Sequence, residues 1–239
     1  MPSPRELPVN LAKGCFDVGL TVHSAEDVAV FWRDEIGACF DHTLVISDTH
    51  QQHRYDLNGS VLKINTPTSV PVTAPSGYRE VYVARDDVDA PRLLIDPEGN
   101  RVILVPVGHQ GIRQLGIKLR ARDVAVHRRF FRQALGLPEE TYGAFRVGDS
   151  AILLEQSPSA SENSSLEGAG WRYLTIQVHD VRLEYERFLN AGGFPGMPIR
   201  QLRDVARFAM VRDPDGNWIE LSQRASLTGP LGACPTQAQ

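Results

Sequence analysis

The sequence predicts an α+β fold of tandem βαβββ modules in two domains, the first domain carrying a truncated second module. Three observations predict it. The phrase "LLIDPEGNRVIL" (Leu93 to Leu104) returns as "MVRDPDGNWIEL" (Met210 to Leu221). A longer pair, "FDVGLTVHSAEDVAVFWRDEIGACF" (Phe16 to Phe40) and "RQLGIKLRARDVAVHRRFFRQALGL" (Arg113 to Leu137), repeats an alternating stretch followed by an amphipathic one. The segment from Val181 to Asp213 is far longer than its counterpart from Val88 to Asp96, so the first half lacks about one helix and the strands beside it. Self-similarity of this kind marks repeated supersecondary units.

Each element has a local reason. Leu115, Ile117 and Leu119 alternate with Gln114, Gly116 and Lys118, the period of a half-buried strand. A helix follows, with Asp123 as N-cap and Val126, Phe130, Phe131 and Ala134 at helical spacing; in the first copy Ser24 and Asp27 form a capping-box pattern. Gly37 and Gly136 stand at the two helix ends. The basic run "HRRFFR" is the exposed stripe of that second helix, its phenylalanines facing inward. Strands are expected at "SVLKINTP" and "AILLEQSP", then at "REVYVARDDV" and "RYLTIQVHDV". Val181, Tyr185, Phe188 and Leu189 make a third helix, ended by Gly192 and Gly193, with a strand at "RFAMV". Asp, Pro and Gly at the first, second and fourth places of each repeated phrase suit a type I β-turn, hence a hairpin corner.

The 239 residues are 42% hydrophobic, enough for one large or two ordinary cores. The repeat divides them into an N-terminal domain over 12–107, a C-terminal domain over 112–224 and a poorly ordered tail over 225–239, with "VGHQG" at the boundary. A net charge of -4, with signs interspersed, argues against nucleic acid or an anionic membrane as partner. Cys15, Cys39 and Cys234 show no CxxC spacing, which suits a reducing, cytoplasmic setting. No apolar run has signal-peptide or membrane-span length.

The repeated strand-helix-strand-strand-strand pattern, the "VHDV" helix start and the "DPDGNWIEL" hairpin together resemble the vicinal oxygen chelate superfamily, over roughly Cys15 to Ser222. The resemblance implies two glyoxalase-like domains whose curved sheets enclose a pocket, with ligands pointing inward from first and last strands. It puts the four ligand positions of the second half on Gln114, Glu155, Tyr173 and Glu220, and those of the first half on Asp17, Ile64, Glu80 and Ile103. Glyoxalase I is the nearest pattern, with Tyr173 as its departure. Gln114, Glu155 and Glu220 are thus expected to hold a divalent ion (Mn, Mg, Fe, Ni or Zn), with Glu155, Glu220 and Tyr173 carrying the chemistry. Lys118, Arg120, Tyr173, Thr175, Gln177 and Trp218 are expected to line the substrate pocket.

The expected function is a glyoxalase-type, metal-dependent lyase or isomerase acting on a small polar molecule. The alternatives are a metal-free binding or resistance protein of the bleomycin-resistance type and a metal-free natural-product tailoring enzyme using the same cavity. A small molecule is the expected partner, with a homodimer as a further option. Extradiol dioxygenase chemistry needs two histidines and a carboxylate, and no histidine stands at a ligand position. His179 reads as a capping or solvated residue, and His50 and His53 as members of a polar loop. The modules could pair within halves or across them; pairing across would leave Glu220 with Asp17 and Tyr173, and bring Gln114 and Glu155 toward Glu80 and Ile103.

Overall fold

A computed structural model describes residues 8–140 and 143–232. The first module is β1 (Asp17–Thr21), α1 (Ala25–Val30), β2 (Cys39–Ser47), β3 (His50–Leu57) and β4 (Ser60–Pro67). The second has only strands: β5 (Tyr78–Arg85), β6 (Arg92–Ile95) and β7 (Arg101–Pro106). The third is β8 (Leu115–Ala121), α2 (Val124–Arg129), β9 (Ala144–Val147) and β10 (Ser150–Gln156). The fourth is β11 (Gly170–Gln177), α3 (Val181–Asn190), β12 (Phe194–Leu202), β13 (Ala206–Arg212) and β14 (Trp218–Arg224). The α+β class and the truncated second module are as the sequence predicts.

The expected local signals operate. Ser24 Oγ accepts from the Asp27 amide, Asp123 from Val126, and Asp180 from Arg182 and Leu183, so each of these three helix starts has a side-chain acceptor for its orphan N–H groups. Gly37 and Gly136 have φ of 81° and 66°, the left-handed conformation that ends a helix. In the two hairpins Asp96 and Asp213 each accept from the backbone N–H and side-chain amide of the asparagine four residues on, Asn100 and Asn217. The tail expected to be poorly ordered opens instead with a short helix, α4 (Ala225–Thr228); residues 233–239 lie outside the described residues.

The strands form two sheets, ordered β12-β13-β14-β11-β1-β4-β3-β2 and β6-β7-β5-β8-β10-β9. β1 pairs antiparallel with β11, Asp17 opposite Thr175, and β5 pairs antiparallel with β8, Glu80 opposite Lys118. The first module therefore joins the fourth and the second joins the third. This settles the pairing that the repeat leaves open: each sheet mixes strands from both halves of the chain. Among the described residues no helix is long and apolar enough to cross a membrane.

Period-two alternation gives each sheet two faces. On the eight-stranded sheet Val18, Leu20, Leu62, Ile64, Leu174, Ile176, Ile219 and Leu221 enter the main core, together with Trp32 and Phe188 from the helical segments. Their neighbours on the other face are polar. Ile64, expected at an inward position, is a core residue, and Lys63 and Asn65 beside it face the opposite way. The strand ladders explain the error: Lys63 lies opposite Gly19 in β1, and its counterpart opposite Gly116 in β8 is Ala151. Aligning "SVLKINTP" with "AILLEQSP" from their first letters introduces an odd offset, which flips a strand's side chains to the other face. The segment "HQQHRYDL", expected as a loop, is strand β3.

Candidate functional site

The polar face of the eight-stranded sheet curves around a cavity of about 660 Å³. Such a volume suits a small organic molecule. Its floor is built by central strands: Gln52 and Arg54 from β3, Lys63 and Asn65 from β4, Tyr173 from β11 and Glu220 from β14. One wall is apolar, formed by Leu166, Met197, Phe208 and Met210, which pack with Tyr173 and with Trp218 behind them.

The floor is a connected polar network. Lys63 is 4% exposed; its Nζ donates to Thr175 Oγ1 at 2.6 Å and to Glu220 Oε2 at 3.0 Å. Thr175 Oγ1 also donates to Glu220 Oε2, at 3.1 Å. Burial pulls the Lys63 ammonium below its usual pKa, while Glu220 and Asp17 push back. Asp17 lies beneath, fully buried, accepting from Lys13 Nζ at 2.7 Å, from the Val61 amide and from Gln177 Nε2 at 2.9 Å each. Burial opposes its charge, yet Lys13 and Lys63 hold its carboxyl below the usual range. The Tyr173 hydroxyl accepts from Gln52 at 3.2 Å and Asn65 at 3.3 Å; burial, then the charge of Glu220, raises its pKa, so the phenol stays protonated.

Tyr173 owes its position to a glycine. A Cβ at Gly19 would come within 2.2 Å of the Tyr173 ring. Gly19→Ala is therefore expected to push the ring off its hydrogen bonds at an overpacking cost of about 1–3 kcal/mol. This corresponds to a melting temperature lower by roughly 2–12 °C for a chain of this size. Thermal unfolding checks it; an unchanged melting temperature would show that the ring moves freely.

The residues expected as one metal centre lie in three places. Glu220 lines the cavity with Tyr173, its carboxylate bonded to the buried Thr175. Glu155 is on β10 of the other sheet, where its carboxylate meets Arg120 Nε at 2.9 Å and Lys118 Nζ at 3.6 Å. Gln114 precedes β8, donates to the Asn58 carbonyl and accepts from Ser150. The structure therefore does not bring Gln114, Glu155 and Glu220 together. Among the described residues no group of three or more His, Cys, Asp and Glu side chains could hold a metal ion. Gln177 lines the cavity, but Thr175 and Trp218, expected to do so, do not: Thr175 is fully buried beneath the floor, and Trp218 packs against Tyr173 and Met210 without facing the cavity. Lys118 and Arg120 do not reach this cavity.

The matching face of the six-stranded sheet carries ion pairs and a small apolar cluster. Glu80 takes Lys118 at 3.0 Å and Arg101 at 2.9 Å, and Glu155 extends the chain of ion pairs. Beside it Tyr82, Ala84, Val105, Ala144 and Leu153 pack as a small core, with Ile103 against it. The two copies of the repeated phrase thus end differently: Glu220 on β14 reaches the cavity, whereas Ile103 on β7 packs against this apolar cluster.

Sequence reasoning missed Lys63, Gln52, Arg54 and Asn65. The signal for Lys63 was present: Leu62 and Ile64 flank it, so alternation within the strand puts the lysine on the face opposite two apolar residues.

Residues 112–221 match the family model of the Glyoxalase/Bleomycin resistance protein/Dioxygenase superfamily. Among solved structures the chain is similar to glyoxalase I from Zea mays, with a TM-score of 0.70 at 15% identity over 87% of this chain and 92% of that one. A Bacillus subtilis subsp. subtilis str. 168 protein named as a candidate dioxygenase gives 0.69 at 11% identity over 96% and 93%. At these identities the likeness concerns the fold. No curated protein matches the chain.

Proposed function

We propose that this chain, a member of the Glyoxalase/Bleomycin resistance protein/Dioxygenase superfamily, captures a small organic molecule in the cavity of its eight-stranded sheet, with the Lys63 ammonium in the place that the fold gives to a metal ion. The observation that carries this reading is the contact of Lys63 Nζ with Glu220 Oε2 at 3.0 Å and Thr175 Oγ1 at 2.6 Å. A protonated amine has no lone pair to offer a cation. A divalent ion on Glu220 would sit within ~4 Å of the ammonium, where the repulsion amounts to ~8 kcal/mol at an effective dielectric near 20. The donor set therefore does not fit a metal while Lys63 is charged. A metal-dependent lyase would need Gln114 and Glu155 beside Glu220, and the two sheets hold them apart.

Metal addition tests the reading. An ion present at a hundred times its Kd would stabilise the fold by about 2.7 kcal/mol. Mn²⁺, Ni²⁺ and Zn²⁺ are expected to leave the melting temperature unchanged. A rise that disappears in Glu220→Gln would overturn the proposal.

A second reading, a metal-free tailoring enzyme, is supported by the linkage of Lys63, Thr175 and Glu220, which offers a route for moving a proton along the cavity floor. It separates from simple capture by Lys63→Met: an enzyme loses turnover while keeping substrate affinity, and a binding protein has no turnover to lose.

A further inference from the structure

Resting on the small-molecule reading, the ligand's chemical class follows from an imbalance of charge in the same cavity. Arg54 and Lys63 stand directly opposite one another in the β3–β4 ladder, both on the cavity face and both buried. Like charges opposite each other in a sheet are destabilising unless something answers them. Arg224, at the end of β14, also lines this cavity and repels Arg54, while Glu220 and Asp17 attract Arg54 without hydrogen-bonding to it. Glu220 is engaged by Lys63 and Thr175, and Asp17 by Lys13 and Gln177.

The guanidinium groups keep unused donors. Arg54 is 9% exposed and spends its Nε on Gln52 at 2.8 Å; its two terminal nitrogens have no acceptor among the described residues. Arg224 has a buried Nε without a hydrogen-bond partner, and its nearest carboxylate is Asp17 at 3.8 Å. A buried donor without an acceptor costs free energy that a ligand can recover. The wall formed by Met197, Phe208 and Met210 is apolar.

We propose that the ligand is a carboxylate on an apolar body, its oxygens held between Arg54 and Arg224 and its hydrocarbon part against the wall of Met197, Phe208 and Met210. Guanidinium suits this role because its planar fork matches a carboxylate in a bidentate way.

The test compares matched probes that differ only in charge: aryl and alkyl carboxylates, naphthaleneacetate first, each against its primary amide, by calorimetry on the full chain. The acids are expected to bind about tenfold or more tighter than the amides. Arg54→Gln and Arg224→Gln should each remove most of that preference, and Arg54→Lys should restore part of it. Equal affinity of acid and amide, or a preference that survives both glutamine variants, would overturn the inference and leave the small-molecule reading standing. Failure of every acid and amide to bind would overturn the small-molecule reading and this inference with it. Should Arg54→Gln fail to fold, Arg224→Gln and the wild-type comparison still decide.

Discussion

Lys63→Met is expected to lower stability by about 3–5 kcal/mol, because it leaves the Glu220 carboxylate facing Thr175 alone in a mostly buried site. Glu220→Leu should cost a similar amount, stranding the ammonium. For a chain of this size each corresponds to a melting temperature lower by roughly 6–20 °C. The double variant Lys63→Met, Glu220→Leu should recover most of the loss, since replacing both members of a buried pair by apolar groups is often neutral. Lys63 and Glu220 side chains are 5% and 14% exposed, so solvent replaces little of either interaction. A double-mutant cycle in urea checks it. Additive losses would mean that the two groups do not depend on one another, and the ammonium would lose its assigned place.

Arg172→Met is expected to cost about 3 kcal/mol or more and to weaken ligand binding as well. Arg172 is 1% exposed, and its guanidinium donates to the carbonyls of Ala74, Ser165, Gly168 and Ala169. Burial brings its pKa down to about 10, so it keeps its charge at neutral pH. These carbonyls belong to the two loops from which Thr68, Ser69, Leu166 and Glu167 reach the cavity. Removing the guanidinium leaves four acceptors without their donor and frees both loops at once. Arg172→Lys should not rescue, because one ammonium with three donors cannot span a planar fork's four partners. Unfolding and probe binding measured on the same preparation check both effects; a stable variant with normal affinity would show that the loops are fixed by other contacts.

Much of the architecture was legible because it is written in short-range chemistry. Ser24, Asp123 and Asp180 sit before their helices as acceptors, Gly37 and Gly136 end theirs, and Asp96 and Asp213 close their hairpins through bonds spanning four residues. The missing helix of the second module was visible as missing length. Module pairing was not legible, since β1 meets β11 and β5 meets β8 through contacts that no local pattern encodes. The site inherited that gap. Glu220, Tyr173 and Gln177 share one cavity because they belong to the same module, whereas Glu155, Lys118 and Arg120 lie on the other sheet. Lys63 and Arg54 come from the first module, which a reading confined to one half treats as scaffolding. An odd offset in aligning the repeats then turned the lysine toward the core and an isoleucine toward the cavity.

The most direct test of the central claim, that the working cavity is the one on the eight-stranded sheet, is a crystal structure of the protein with naphthaleneacetate bound. Density is expected in that cavity, its carboxylate beside Arg54 and Arg224 and its rings against Met210 and Phe208. Density on the six-stranded sheet, beside Lys118 and Glu155, would contradict it.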